Sequence, residues 1–292
     1  VQDTTIIIKA FKRPTELRQL INSITRRYRY RIVVIDDSPE PLLSKKFVEQ
    51  KGQQLIYKHF TEILGLSKGR NIGLQFVETD TFVLCDDDFL FNSKTNLELL
   101  QQIQSTEKWD ILCGQVFDYP LSLLQILRYG ASYAIALRPR KVRDLIKKER
   151  QGEKRHFFGH FTVVDNTLLA IPAAIHPHST TKVDYGINFF IANTDRIKNT
   201  LMGWDEELLM GEHEDFFFRA KKLQVKVGAT NRVSISHFPL SHTKNKDRVL
   251  LEKNCKPHLL KKHNLNAFAR IKPNGGEIVI LNDEDQQGAS KL

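Results

Sequence analysis

Short apolar runs alternate with amphipathic stretches along the first half of the chain. Thr4-Thr5-Ile6-Ile7-Ile8-Lys9-Ala10 is a β-branched run and predicts a first strand. Pro14 ends it, with Thr15 placed to cap the next helix. Leu17, Leu20, Ile21 and Ile24 then recur at helical spacing. Tyr30 to Ser38 reads as a second strand ending in Asp36 and Asp37. Leu42 to Gln50 predicts a helix, and Gln54 to Lys58 a third strand. Gly65 to Leu74 is a glycine-punctuated loop running into a helix. Later segments predict a helix over Leu97 to Ile103 capped by Asn92 or Ser93, and strands over Trp109 to Val116 and Tyr185 to Ala192. Asn193-Thr194-Asp195 would cap the helix that follows, and Val225 to Gly228 with Val233 to His237 reads as a hairpin-like pair. Strand, helix, strand in sequence predicts an α/β class built on a mostly parallel sheet.

One strand breaks the pattern. Phe82-Val83-Leu84-Cys85 enters three consecutive acids, Asp86, Asp87 and Asp88, and Phe89-Leu90-Phe91 leaves them. Adjacent carboxylates at the end of a buried strand repel one another and lose hydration. A divalent cation removes both penalties, because hard cations take carboxylate oxygens. Open α/β sheets bind ligands at the C-terminal ends of their strands. A second acidic group, His213-Glu214-Asp215, opens a helix where the macrodipole favours negative charge.

Composition narrows the classes. Of 292 residues, 27% are charged and 41% hydrophobic, as in a globular chain of one large or two small domains. No apolar stretch reaches the roughly 18 residues of a membrane span. The opening Val1-Gln2-Asp3-Thr4 lacks an initiator Met and a signal-peptide pattern, which reads as a trimmed or partial chain. Net charge is +10, favouring an anionic partner. Nine Lys/Arg against three acids over 138–155 offer a face for an anionic acceptor or lipid head groups. Cys85, Cys113 and Cys255 are too few for a disulfide framework, and no N-glycosylation sequon occurs, both leaning toward a reducing compartment.

The segments Ile6-Ile7-Ile8-Lys9-Ala10-Phe11-Lys12-Arg13-Pro14, Val33-Val34-Ile35-Asp36-Asp37-Ser38, Gly69-Arg70-Asn71-Ile72-Gly73-Leu74 and Asp86-Asp87-Asp88-Phe89 together resemble glycosyltransferases of the GT-A fold. Leu84 to Phe91, Asp184 to Asp195 and His213 to Phe217 are similar to the β-1,4-N-acetylgalactosaminyltransferases. The resemblance covers most of residues 4 to 242. It implies a Rossmann-like central sheet flanked by helices, with a smaller acceptor-side subdomain. On that reading residues 1–116 bind the nucleotide sugar, 117–242 form the acceptor-binding and catalytic half, and 243–292 are a basic helix and tail.

The resemblance also implies site residues. Asp86 and Asp88 would be the outer acids of the Asp-x-Asp motif, with Asp88 the direct metal ligand. Asp87 would assist or face the ribose. Asp36 and Asp37 would meet uracil or ribose, and Arg13 and Arg70 the nucleotide. His237 would be a late ligand to Mn2+ or Mg2+, with His242 as second candidate. Asp215 would be the general base, with Glu214 its rival. The resemblance implies that one of the pair binds the acceptor and the other does the chemistry; adjacent helical residues point about 100° apart, so the two do not share one job. Trp204 and Asn188 would also contact the acceptor.

The expected reaction is inverting, metal-dependent transfer of a sugar to a hydroxyl of a glycan, glycolipid or polysaccharide. GalNAc from UDP-GalNAc leads; UDP-linked GlcNAc, Gal or Glc are the alternatives. A metal-dependent nucleotidyltransferase ranks low, because the chain lacks an early Gly-rich, Lys/Arg-containing loop. A nucleic-acid-binding module ranks lower, since the basic residues are not interleaved with aromatics; no nucleic acid is expected. The lysine-rich composition without sequons points to a microbial enzyme, cytoplasmic and peripheral at the inner membrane, with a Golgi lumenal domain as the alternative.

Overall fold

The computed structural model describes residues 4–119, 153–154, 157–176, 178–208, 211–238, 257–271 and 277–280. His242, Cys255 and all of the 138–155 patch except 153–154 lie outside them.

Strands β1 (Thr4–Ala10), β2 (Arg31–Asp36), β3 (Leu55–His59) and β4 (Thr81–Asp86) form a parallel block in the order β3-β2-β1-β4. Every residue of β1 is buried, as expected for a central strand covered on both faces. Helix α1 (Pro14–Thr25) begins with Pro14 in its first turn, where a missing N–H costs nothing, and buries Leu17, Leu20, Ile21 and Ile24. Thr15 therefore lies inside the helix rather than at its cap. Helix α2 (Lys45–Lys51) is capped by Ser44. Helix α3 (Gly65–Gln75) packs on the sheet through Gly69 and Gly73, where an added Cβ would strike the Lys9 and Ile7 side chains. Helix α4 (Leu97–Glu107) is capped by Asn96, one turn later than the sequence predicts.

The sheet then leaves the purely parallel pattern. Beyond the two-residue β5 (Phe89–Leu90) lie β6 (Ile111–Asp118), β7 (Glu153–Lys154), β8 (Gly159–Val164), β9 (Thr167–Pro172), β10 (Thr180–Val183) and β11 (Phe190–Asn193). Strand β11 enters antiparallel between β4 and β6. A fully buried strand reads as a continuous apolar run in either direction, so its polarity is invisible in the pattern. Asn193 accepts from the Arg196 N–H, which starts the following helical turns as expected. Helix α5 (Glu212–Lys222) leads to β12 (Val227–His237). The expected hairpin-like pair is this one long strand, bulged between Ala229 and Ser234, which pairs parallel with β6 and antiparallel with β5 and β10.

A second sheet has the order β14-β13-β9-β8, with β13 (Ala267–Ile271) and β14 (Glu277–Ile280) from the C-terminal segment. Strands β8 and β9 turn at Asp165 and Asn166, both at positive φ, the geometry of a tight two-residue hairpin. A short helix over 257–263, α6, precedes β13. What reads in sequence as basic helix and tail thus supplies half of this sheet. Cys85 and Cys113 are buried free thiols whose ionisation burial opposes. Among the described residues no helix is long and apolar enough to cross a membrane.

Candidate active site

Asp86 is the last residue of β4, opposite Lys9 on β1, and Asp87 and Asp88 form the turn into β5. Two ladders then set the position of His237. It pairs with Phe89 of β5 on one side and with Asp118 of β6 on the other. Strand register alone therefore carries the histidine beside Asp88, although 149 positions of sequence separate them. Its Nε2 lies 3.1 Å from Asp88 Oδ2, and its Nδ1 lies 2.7 Å from Asp118 Oδ1. The Phe238 N–H donates to the Asp88 carbonyl at 3.2 Å and closes the corner.

The three acids have different electrostatics. Burial opposes ionisation of Asp88, but His237 and Arg13 outweigh it and hold the carboxyl below its ordinary range. Burial pushes Asp87 up to about 7, Asp88 adding to the effect while Arg13 and the Phe11 N–H oppose it. Asp86 is also raised, first by burial, with Arg70 opposing. One Arg13 nitrogen donates to both Asp87 (2.8 Å) and Asp88 (2.6 Å).

This donor set suits a divalent cation. An imidazole nitrogen and a carboxylate oxygen converge, and a second carboxylate backs the ring from behind. Carboxylate–histidine backing of this kind fixes the tautomer and leaves the front nitrogen to ligate. Asp86 has neighbours of its own: Arg70 reaches its Oδ1 at 3.5 Å and Asn188 its Oδ2 at 3.4 Å. Of the expected metal trio, the structure brings Asp88 and His237 together and holds Asp86 on neighbouring side chains.

Several expected contacts face inward. Asp36 is fully buried and accepts from Ser38 N–H, Leu42 N–H and the Tyr57 hydroxyl. Asp37 accepts from Lys9, Leu64 N–H and Gly65 N–H. Every oxygen of both acids is engaged by the chain itself, so they shape the loops after β2 instead of presenting an edge to a nucleotide. Arg70 is buried against Glu212 at 2.7 Å, with its guanidinium over the Trp204 ring. Trp204 is only 3% exposed and stacks on Phe216 at 4.7 Å. It is a core residue, with neither ring face open to a sugar. Asn188 bridges Asp86 to His213, whose Nδ1 lies 2.8 Å from Asn188 Oδ1.

Helix α5 starts with acids that point different ways. Glu212 faces inward to Arg70. Asp215 has no exposed surface and binds Arg219 Nε (2.7 Å), Lys262 Nζ (2.9 Å) and His263 Nε2 (2.8 Å). A general base needs an oxygen facing its substrate; this carboxylate has both oxygens committed to cations and acts as an anchor for α6. Glu214 keeps 19% of its side chain exposed and pairs with Arg270 at 2.6 Å. The roles of Asp118, Glu212, Lys262, His263 and Arg270 are missed in sequence. Glu212 sits beside the recognised acidic segment, and Asp118 just past the predicted strand Trp109 to Val116; the C-terminal three carry no local signal.

Burial, aided by Arg70, holds His213 neutral down to about 3. An unfolded histidine takes up its proton near pH 6.5. The folded value is depressed, so its contribution is complete above about pH 6.5 and declines as pH falls toward the folded value. Chemical denaturation should show up to about 2 kcal/mol lost between about pH 6.5 and 5, and His213→Gln should flatten that slope. An unchanged slope in the variant would place the titration elsewhere.

A separate cavity of about 540 Å³ is lined by Asp205, Glu207, His258, Lys261 and Lys262. Ligand atoms of Asp205, Glu207 and His258 lie within 4.8 Å of one another. Lys262 contacts Asp205 at the edge of this cluster.

The family model for glycosyl transferase family 2 matches residues 5–170. The β-1,4 N-acetylgalactosaminyltransferase 2 of Mus musculus is 28% identical over 252 residues, covering 85% of this chain and 42% of that protein. The β-1,4 N-acetylgalactosaminyltransferase 1 of Homo sapiens is 28% identical over 244 residues, covering 80% and 38%. The chain thus spans less than half the length of these curated relatives. Among solved structures, GalNAc-T7 with UDP, GalNAc and Mn2+ superposes with a TM-score of 0.60 at 13% identity, over 83% of this chain and 44% of that one. S. aureus TarS 1-349 in complex with UDP-GlcNAc gives 0.54 at 15% identity, over 82% and 59%. At these identities the likeness is one of fold, the GT-A arrangement.

Proposed function

The chain belongs to glycosyl transferase family 2, and from that premise we propose that it moves a sugar from a UDP donor to an acceptor hydroxyl with inversion. GalNAc is the leading sugar, ahead of GlcNAc, galactose or glucose, because the relatives matching most of this chain are named as N-acetylgalactosaminyltransferases. The acceptor is a glycan, glycolipid or polysaccharide. The observation that carries the reading is the meeting of Asp88 and His237 at 3.1 Å with Asp118 behind the ring.

Asp88 and His237 would hold Mn2+ or Mg2+, with Asp86 beside them. When bound, such an ion offsets the negative charge growing on the departing diphosphate. Arg13, partly exposed beside Asp87 and Asp88, keeps those carboxylates oriented and turns positive charge toward the same place. Glu214 accepts the acceptor's hydroxyl proton. As the acceptor oxygen bonds to the anomeric carbon, the bond from that carbon to the phosphate oxygen breaks, and its electron pair leaves with UDP. Asp215 holds the helix that carries Glu214. A net charge of +10 and the basic stretch 138–155 suit an acceptor at an anionic membrane surface, bacterial inner membrane first and Golgi second.

Thermal shift with the four UDP-sugars tests the donor. UDP-GalNAc should raise the melting temperature most, and only with Mn2+ present. Ligand at 100 times its Kd adds about 2.7 kcal/mol of stability, a shift of a few degrees. Equal shifts from all four would remove the GalNAc preference; no shift from any would remove the donor site.

A further inference from the structure

We infer that Arg270 positions Glu214 for proton abstraction and offers a further N–H to the acceptor, so that strand β13 completes the acceptor half of the site. This rests on Glu214 as the base.

The two residues come from a helix and a strand far apart in sequence. Glu214 lies in the first turn of α5, and Arg270 near the end of β13, 56 residues later. Arg270 Nη2 donates to Glu214 Oε1 at 2.6 Å, a short charge-assisted bond. The guanidinium lies over the Phe157 ring, 4.4 Å from its centroid. Phe157 in turn packs edge-on against Tyr185 and beside His213. An aromatic face under a planar cation fixes the plane of its donors, which a flexible ammonium would not do. The carboxylate is therefore held by a group whose own orientation is set.

One donor of that group is unspent. Arg270 Nε is buried and has no hydrogen-bond partner among the described residues. Buried donors are nearly always paired, and an exception marks strain, a catalytic role or an ordered water. The side chain is still 34% exposed, so the group borders solvent on another edge. A sugar oxygen docked next to Glu214 meets the guanidinium at that exposed edge and brings its neighbouring hydroxyl to the base.

The surrounding segment is fixed where it matters. Lys262 and His263 of α6 grip Asp215, the residue after Glu214. Residues 257–271 thus meet α5 at two consecutive acids, one buried as an anchor and one left facing outward. The match to the family model ends at residue 170, so this contribution comes from beyond it.

The test uses Arg270→Met and Arg270→Lys in the full chain, alone and with Glu214→Gln. Probes are UDP-GalNAc with Mn2+, and p-nitrophenyl β-galactoside and β-N-acetylglucosaminide as acceptors. Arg270→Met should lower transfer kcat on the order of 10- to 100-fold and raise acceptor KM about tenfold. The melting shift produced by UDP-GalNAc should stay as in the wild type. Arg270→Lys should recover part of kcat while leaving KM high. In the Glu214→Gln background Arg270→Met should lower kcat little further, because the group it positions is gone. Fully multiplicative kcat losses, or wild-type kinetics in Arg270→Met, would overturn the inference. So would unfolding of both Arg270 variants, which would make the pair purely structural. Full transfer by Glu214→Gln would instead remove the base assignment, a separate outcome.

Discussion

Asp88→Ala is expected to reduce sugar transfer by about 10²–10³-fold or more while the chain stays folded. Asp88 meets Arg13 at 2.6 Å and His237 at 3.1 Å. Both partners retain other company: Arg13 keeps Asp87, and His237 keeps Asp118. Loss of the carboxylate therefore strands neither partner, and the melting temperature should move little. The effect falls on the chemistry, because a group that offsets leaving-group charge acts mainly in the transition state. Asp88→Asn should be nearly as inactive, since an amide keeps the volume but not the charge. UDP release from UDP-GalNAc with an acceptor measures the first quantity, and calorimetric binding of Mn2+ an independent second. Transfer within tenfold of wild type, with Mn2+ bound as before, would refute the assignment.

The second large effect is on stability. Asp215→Ala leaves Arg219, Lys262 and His263 facing a buried gap without their shared counter-ion. Breaking a buried pair in this way costs about 3–5 kcal/mol. Arg219 retains its bonds to the Leu201 and Gly203 carbonyls, which keeps the charge in place rather than letting it escape to water. The pH dependence follows from the direction of the shift. Burial opposes the charge on Asp215, but His263, Arg219 and Lys262 together hold its folded pKa well below the ordinary carboxylate range. Its contribution is therefore present above that range and is lost as pH falls through it toward the folded value. Denaturant melts should show wild type and variant far apart at neutral pH and converging in acid. Equal stability at pH 7, with transfer abolished, would return Asp215 to the catalytic role. A destabilised but active Asp215→Ala, beside an inactive Glu214→Gln, fits the anchor.

Particular elements show how much was legible in sequence. The predicted first strand matches β1 residue for residue, and the helical spacing of Leu17, Leu20, Ile21 and Ile24 is the buried face of α1. The triple acid at the end of β4 was readable from the residues themselves, because adjacent carboxylates closing a buried strand have no packing reason; the histidine ending β12 was readable only through the resemblance to GT-A transferases. The acids after β2 were readable only as acids. Asp36 and Asp37 turned out to be consumed by local N–H groups, Tyr57 and Lys9. Trp204 likewise gave no sign of being sandwiched by Phe216 and Arg70. Nothing near residue 270 foretold a partner at 214, because a strand's pattern of burial does not name what its ends touch.

The order of amino acids determined the repeating α/β elements and the two acidic edges where chemistry could sit. Those follow from local periodicity and from the cost of placing like charges next to buried strands. The fold decided which acids keep an open oxygen. It did so through ladder register, which set His237 between Asp88 and Asp118, and through the return of residues 257–271 onto α5. A carboxylate's role depends on the cations and N–H groups within about 4 Å, and for Asp88 and Glu214 long-range pairing brings those neighbours in.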